Sequence, residues 1–297
     1  MSRRVTSARF IGRTAELATV DDLLVRVATG EPATLLVAGD AGVGKTRLIE
    51  ELARRARDRG FLVLAGGCLE LCEGGIPMAP IVEALRRWRD QLDERELDEV
   101  GLAASELRFL IPDPPMAALS EPGPVTARPS PGRVLELVLG LVLRLADRRP
   151  TVLVTEDLHW ADRSTLDLLS FLDRNLAGPV LLVGTFRSDE LHRRHPLRPF
   201  LGELERSGST VRLDLAPFDR AELTAQAEAI TGATLRTDVL DELLRRSEGN
   251  PFFVEELLAT EADRVDALPD SLRDILLGRV ADLPDDQRAV LRLASTL

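Results

Sequence analysis

Three short groups of residues have the types and spacing for chemistry on a polyphosphate. The first is Gly39-Asp40-Ala41-Gly42-Val43-Gly44-Lys45-Thr46, which fits G-x-x-x-x-G-K-[ST] and runs directly into Arg47. Its glycines let backbone N–H groups turn inward around phosphate oxygens, where a Cβ would intrude. A helix starting at its end would add roughly half a positive charge. Lys45 would place an ammonium on β and γ phosphates, and the Thr46 hydroxyl would hold Mg²⁺. The second group is Glu156-Asp157, two acids closing the apolar run Thr151-Val152-Leu153-Val154-Thr155. Side chains alternate along a strand, so the two acids are expected on opposite sides. One would enter the Mg²⁺ shell and the other would orient an attacking water; which does which stays open. The third is Arg187, a cation after Val180-Leu181-Leu182-Val183-Gly184-Thr185-Phe186 that could read a γ-phosphate. Lys45, Glu156, Asp157 and Arg187 are thus the candidate catalytic residues, and Thr46, Glu156 and Asp157 the candidate metal ligands.

Composition sharpens the first group. Lys45 is the sole lysine, and the other 37 basic residues are arginines. A compact ammonium on a flexible stem fits inside a phosphate loop, whereas a planar guanidinium does not. The absence of a second lysine also excludes the Asn-Lys-x-Asp motif usual in guanine-specific P-loop proteins, so a GTPase is not expected.

These residues need a scaffold, and the surrounding pattern supplies one. Thr34 to Ala38 is an apolar run leading into the loop, and Arg47 to Arg59 is an amphipathic helix leading out of it. Upstream, Thr14 is expected to cap a helix with Leu17, Val20, Leu24 and Val27 inward. Downstream, Gly60 stops the loop helix, Phe61 to Ala65 is a second strand, and Ile81 to Gln91 a helix that packs Trp88. Arg133 to Asp147 is again helical. After the acids, Ser164 is expected to cap a helix with Asp167 as its capping-box partner. His159 reads as a turn histidine with a structural hydrogen bond. Val180 to Phe186 is the fourth strand and Thr210 to Leu215 the fifth. Apolar strands alternating with helices predict an α/β fold, a parallel sheet covered on both faces. From Asp219 onward the pattern is helical, with Gly249 as a helix C-cap and Pro251 in a first turn. The expected domains are a core over 1–215 with a mobile proline-rich loop at 111–132, then a helical lid over 216–265. The last helical pattern has no cap, which reads as an interrupted sequence.

Net charge is −11, which argues against this piece gripping nucleic acid through phosphates. Arginine pairs such as Arg54-Arg55, Arg86-Arg87 and Arg245-Arg246 lie beside acids on helical patterns and read as solvated faces. The longest uncharged run, Asn175 to Phe186, has 12 residues, too short for a membrane span. No signal peptide is visible, so the default compartment is the cytoplasm and no membrane partner is expected. Cys68 and Cys72 lack neighbours to complete a zinc site and read as small reduced thiols.

Taken together, Phe-Ile-Gly-Arg at 10–13, the loop at 39–46, Glu-Asp-Leu-His-Trp-Ala-Asp at 156–162, Gly-Thr-Phe-Arg at 184–187 and Glu-Gly-Asn-Pro-Phe-Phe at 248–253 resemble one family. It is the nucleotide-binding region of STAND-class P-loop ATPases, and within it that of large ATP-binding regulators of the LuxR type. The resemblance implies a P-loop sheet with a helical lid and the start of a winged-helix domain at 266–297. It implies a slow Mg²⁺-dependent ATPase acting as a signalling switch between ATP and ADP. It places Gly12 and Arg13 near the adenine, Pro251 against the base, and Arg187 as sensor on a strand between the loop strand and the acidic strand. Contact with DNA would come only through a C-terminal domain absent from this chain, and self-association would belong to the ATP state. Related ATPases often place Asp first in the acidic pair, where this chain has Glu156. The alternatives are a ring-forming AAA+ ATPase, or a nucleotide-binding module without turnover fused to a cyclase or kinase.

Overall fold

The computed structural model describes residues 6–7, 9–69, 77–92 and 130–261. Of the loop expected over 111–132, residues 111–129 lie outside the described residues, as do the winged-helix start at 266–297 and Cys72, while Pro131 and Gly132 open a helix instead. The chain divides into two compact units, one of residues 13–41 and 45–215, the other of residues 1–12, 42–44 and 216–297.

In the larger unit, α1 (Thr14–Ala28) precedes β1 (Ala33–Gly39), and α2 (Lys45–Asp58) begins at the loop lysine. Then come β2 (Leu62–Gly67), α3 (Ala79–Arg89), α4 (Pro131–Arg148) and β3 (Thr151–Glu156). A single 3₁₀ turn, Leu158–Trp160, leads into α5 (Arg163–Asn175), β4 (Val180–Arg187), α6 (Leu197–Leu204) and β5 (Thr210–Asp214). The five strands are all parallel, in the order β2-β3-β4-β1-β5.

Strand burial explains why these runs are apolar throughout. Every residue of β1 is buried. Leu36 and Ala38 join the cluster built by α3, α4, α5 and α6. Leu35 and Val37, which alternate with them, are just as buried. Only a sheet covered on both faces buries both sets. Helix α1 buries Val20, Leu23, Leu24 and Val27, and α2 buries Leu48, Ile49, Leu52, Ala53 and Ala56.

Two expected caps differ. Helix α1 is preceded by Arg13 in a left-handed conformation (φ 58°), and Thr14 is its first residue, with no side-chain cap. At α5 the cap is Asp162, whose Oδ1 accepts from the N–H groups of Ser164 (2.8 Å) and Thr165 (3.1 Å). Ser164 is therefore helical, and Asp167 pairs with Arg163 instead. An ionised carboxylate accepts two orphan N–H groups at once and suits the positive end of the helix better than a hydroxyl. Its Oδ2 also accepts from the Met78 N–H at 3.2 Å, which ties α5 to the start of α3. One arginine of each pair is exposed and ion-paired, Arg54 with Glu51 and Asp58, Arg87 with Glu83 and Arg245 with Glu242, while Arg55, Arg86 and Arg246 are half-buried, so the pairs are not wholly solvated faces.

In the smaller unit, α7 (Arg220–Thr231), α8 (Thr237–Ser247) and α9 (Pro251–Glu261) close over Leu223, Ala227, Leu240, Leu243, Val254 and Leu257. Helix α7 starts with a full capping box, Asp219 with Glu222. Helix α8 ends at Ser247, and Glu248 takes the left-handed cap position expected of Gly249; Gly249 follows, also at positive φ (76°). Pro251 opens α9 as expected, and its carbonyl accepts from Gln226 Nε2 at 3.0 Å.

Candidate functional site: a phosphate loop, an acid pair and an arginine

The loop follows β1 at its C-terminal end. Gly39 (φ 153°) is the last strand residue, and Gly42 (78°) and Gly44 (101°) hold left-handed φ values that a side chain would strain. A Cβ on Gly44 would meet no atom within 4 Å, so that glycine is required by backbone conformation and not by crowding. Asp40, Ala41 and Val43 complete the turn. Lys45 is nearly buried, and its ammonium donates to the carbonyls of Gly39 (2.8 Å) and Asp40 (3.0 Å). Burial lowers its pKa, and the positive charge of Arg187 lowers it further. The carboxylates of Asp157, Asp189 and Asp40 offset part of that lowering.

The acids occupy the C-terminal end of β3. Glu156 is the last strand residue, and its Oε2 accepts from the Thr46 hydroxyl at 2.9 Å. Burial raises the Glu156 pKa, while that hydrogen bond pulls it down. Asp157 is no longer in the strand. It takes a left-handed conformation (φ 56°, ψ 48°), and its N–H donates to the Thr185 hydroxyl at 3.0 Å. Strand alternation therefore does not set the direction of its carboxylate, contrary to expectation. Such a backbone costs on the order of 1–3 kcal/mol and persists because neighbours enforce it. Here Thr185 of β4 does so, a role the sequence pattern did not reveal.

Arg187 ends β4, in register with Gly39 of β1. Strand β4 lies between β1 and β3, as the resemblance implied. The loop, the arginine and the acids therefore share the C-terminal edge of three adjacent strands, the ligand crevice of open parallel sheets. The guanidinium donates to Glu190 Oε1 at 2.5 Å and sits 5.1 Å from the centre of the Trp160 ring.

His159 corrects another expectation. It is buried, and among the described residues neither ring nitrogen has a hydrogen-bond partner. Its Nε2 lies 3.4 Å from Glu190 Oε2 and 3.9 Å from Asp157 Oδ1. Burial lowers its pKa to about 4, so it is neutral at pH 7. Cys68 is a buried thiol pushed up to about 12, chiefly by burial, and is inert. The residues assigned to the base are Gly12 (φ 66°), Arg13, whose Nη1 is 3.3 Å from Glu16 Oε1, and the buried Pro251.

The residues fit a Mg²⁺-nucleotide. Among the described residues there is no group of three or more His, Cys, Asp or Glu side chains that could hold a metal by themselves. Mg²⁺ does not need one, since it takes one or two protein oxygens, phosphate oxygens and water. The Thr46 hydroxyl and the Glu156 carboxylate, 2.9 Å apart, are oxygens of the kind such a shell would take.

A glycine loop between a central strand and a helix, with acids two strands away and an arginine between, defines a P-loop nucleotide-binding α/β protein. The sequence profile of the AAA ATPase domain family matches residues 9–183, more than half of the chain, and the chain belongs to that family. An uncharacterized protein of Rhizobium meliloti is 30% identical over 89% of this chain, which spans only 26% of that protein's length. The Cdc6 protein of Pyrobaculum aerophilum shares the fold with a TM-score of 0.52 at 15% identity, over 86% of this chain and 63% of its own. The ORC1 protein of Aeropyrum pernix, solved with DNA, gives 0.48 at 21% identity, over 97% of this chain and 73% of its own. A signal transduction ATPase with numerous domains from Pyrococcus horikoshii, which carries a tetratricopeptide repeat sensor, gives 0.43 at 13% identity, over 100% and 36%. Among the described residues no helix is long and apolar enough to cross a membrane.

Proposed function

We propose that this chain binds ATP with Mg²⁺ and hydrolyses it slowly, as the N-terminal switch of a larger LuxR-type transcriptional regulator. The observation that carries the ATP reading is the Thr46–Glu156 hydrogen bond, which joins the phosphate loop to the acid strand at one edge of the sheet. Bound Mg²⁺ supplies neutralisation of charge on the β and γ phosphate oxygens. Thr46 and Glu156 would hold the ion, Lys45 and the loop amides of 39–46 the phosphates, and Arg187 the γ-phosphate. Asp157, displaced from the strand, is left to accept a proton from an attacking water. Arg47 follows the loop on the first turn of α2, and the base contacts assigned to Gly12, Arg13 and Pro251 rest on the family resemblance alone.

A switch needs its two states to differ in affinity by about 5.5 kcal/mol to swing a population from 1:99 to 99:1. Several charge-assisted bonds to one γ-phosphate, at about 1.5–3 kcal/mol each, are of that order. The regulator reading is supported by the motif set and by the greater length of the Rhizobium relative. Self-association in ATP and DNA contact through a further domain belong to the same proposal.

The test has two arms. Labelled ATP should be taken up only with Mg²⁺, and K45A should abolish uptake. In single turnover, D157N should release phosphate about 10²–10⁴-fold more slowly than the parent, the usual range for a lost general base. Uptake that survives K45A removes the ATP reading. A parent that releases no more phosphate than D157N is a binding module and not an ATPase.

A further inference from the structure

Arg187 has two partners within the protein. Its Nη1 donates to Glu190 Oε1 at 2.5 Å, and its guanidinium lies 5.1 Å from the Trp160 ring centre. Both partners come from the larger unit, which also holds Lys45 and Thr46. Glu190 stands three residues after Arg187 in the loop leaving β4, and Trp160 in the turn leaving β3. A guanidinium neutralised by a carboxylate is a weaker anion receptor than a free one. A γ-phosphate that claims Arg187 must compete with Glu190 for the same N–H groups.

The competition leaves Glu190 with a charge to satisfy. That carboxylate is about one-third exposed, so losing its partner carries a desolvation cost. A replacement donor stands beside it. His159 Nε2 lies 3.4 Å from the other oxygen, Oε2, just outside good hydrogen-bond distance, on a ring with neither nitrogen satisfied. The ring is fixed in place, its side chain fully buried and 4.7 Å from the Trp160 ring. A small swing of the Glu190 carboxylate away from Arg187 completes that bond. The carboxylate thus has two alternative partners, one on each oxygen.

We propose that Glu190 is a specificity-determining positioning residue: it latches Arg187, ATP opens the latch through its γ-phosphate, and His159 receives the released carboxylate. ADP, which has no γ-phosphate, leaves the latch closed. Glu190 therefore tunes the ratio of ATP to ADP affinity and does not contribute to nucleotide binding in general. This rests on the ATP reading above.

The test is the affinity of the parent, E190Q, R187A and R187A/E190Q for ATP and for ADP with Mg²⁺, by calorimetry. Glutamine keeps the shape and removes the charge. E190Q should bind ATP about ten-fold tighter, the scale of one charge-assisted bond, with ADP unchanged. R187A/E190Q should match R187A, because the latch has nothing to hold. Equal shifts for ATP and ADP, or an E190Q affinity for ATP no higher than the parent's, overturn the latch. If the parent binds ATP but the ratio does not move, the latch alone fails. If the parent binds neither nucleotide, the ATP reading fails and the latch falls with it.

Discussion

The Thr46 hydroxyl donates to Glu156 Oε2 at 2.9 Å, across 110 residues of sequence. The first acid of the pair, not the second, therefore meets the loop threonine. On the function proposed, these two oxygens would be the protein's share of an octahedral Mg²⁺ shell, so both should matter to metal affinity. In T46A, half-maximal ATP binding should need about ten- to a hundred-fold more Mg²⁺, the usual loss for a damaged metal shell. T46S should stay near the parent. A magnesium titration of ATP binding checks this, and equal requirements in parent and T46A would remove Thr46 from the shell.

Gly66 of β2 has no room for a side chain. A Cβ there would lie 1.9 Å from the Pro80 carbonyl oxygen, and backbone cannot swing away as a side chain can. Gly67, next in the strand, would meet nothing within 4 Å. G66A should lose about 1–3 kcal/mol in urea unfolding, the usual cost of overpacking, while G67A stays close to the parent. Equal losses in the two variants would refute the contact.

Asp162 holds three backbone N–H groups, those of Ser164, Thr165 and Met78. The first two are orphan donors of α5, and the third opens α3. D162A should cost more than the roughly 0.5–2 kcal/mol of an isolated cap, because an additional half-buried donor loses its acceptor. S164A should cost little, since Ser164 is helical and not the cap. Denaturation midpoints of the two variants separate these roles; a larger loss in S164A would restore the serine cap.

Glu51 links the arginines of α2. It accepts from Arg54 through Nε (2.9 Å) and Nη2 (2.7 Å), and from Arg55 through Nε (2.8 Å). Arg55 and Arg59 also pair with Asp21 of α1. The hydrogen bonds from Arg54, and then Arg55, hold the Glu51 pKa down to about 2, against an ordinary 4.5. A depressed carboxylate pKa means that the unfolded chain takes up the proton first. Its stabilisation is thus present above pH 4.5 and lost as pH falls toward 2. E51Q should melt below the parent at pH 7, and the gap should close across that acid range. A gap that stays constant would show that Glu51 acts by packing and not by charge.

The loop octet, the lone lysine, the terminal acids of one apolar run and the arginine after another are all legible in the chain as written. So are a parallel α/β sheet and the helices that follow it. Each is a local relation, because hydrophobic period, glycine spacing and turn residues act over a few positions. The caps were not legible: α1 has no side-chain cap, and at α5 a nearby aspartate takes the place of the serine because it can satisfy two helix donors and a third from α3. What periodicity could not supply is which strand lies beside which. That order puts Arg187 level with Gly39, brings Glu156 to Thr46, and lets Thr185 hold Asp157 out of the strand. It also sets Glu190 between Arg187 and His159. All of these but the Arg187–Glu190 contact join residues far apart in the chain. They depend on the packing of whole strands and helices, which no short window of residues encodes.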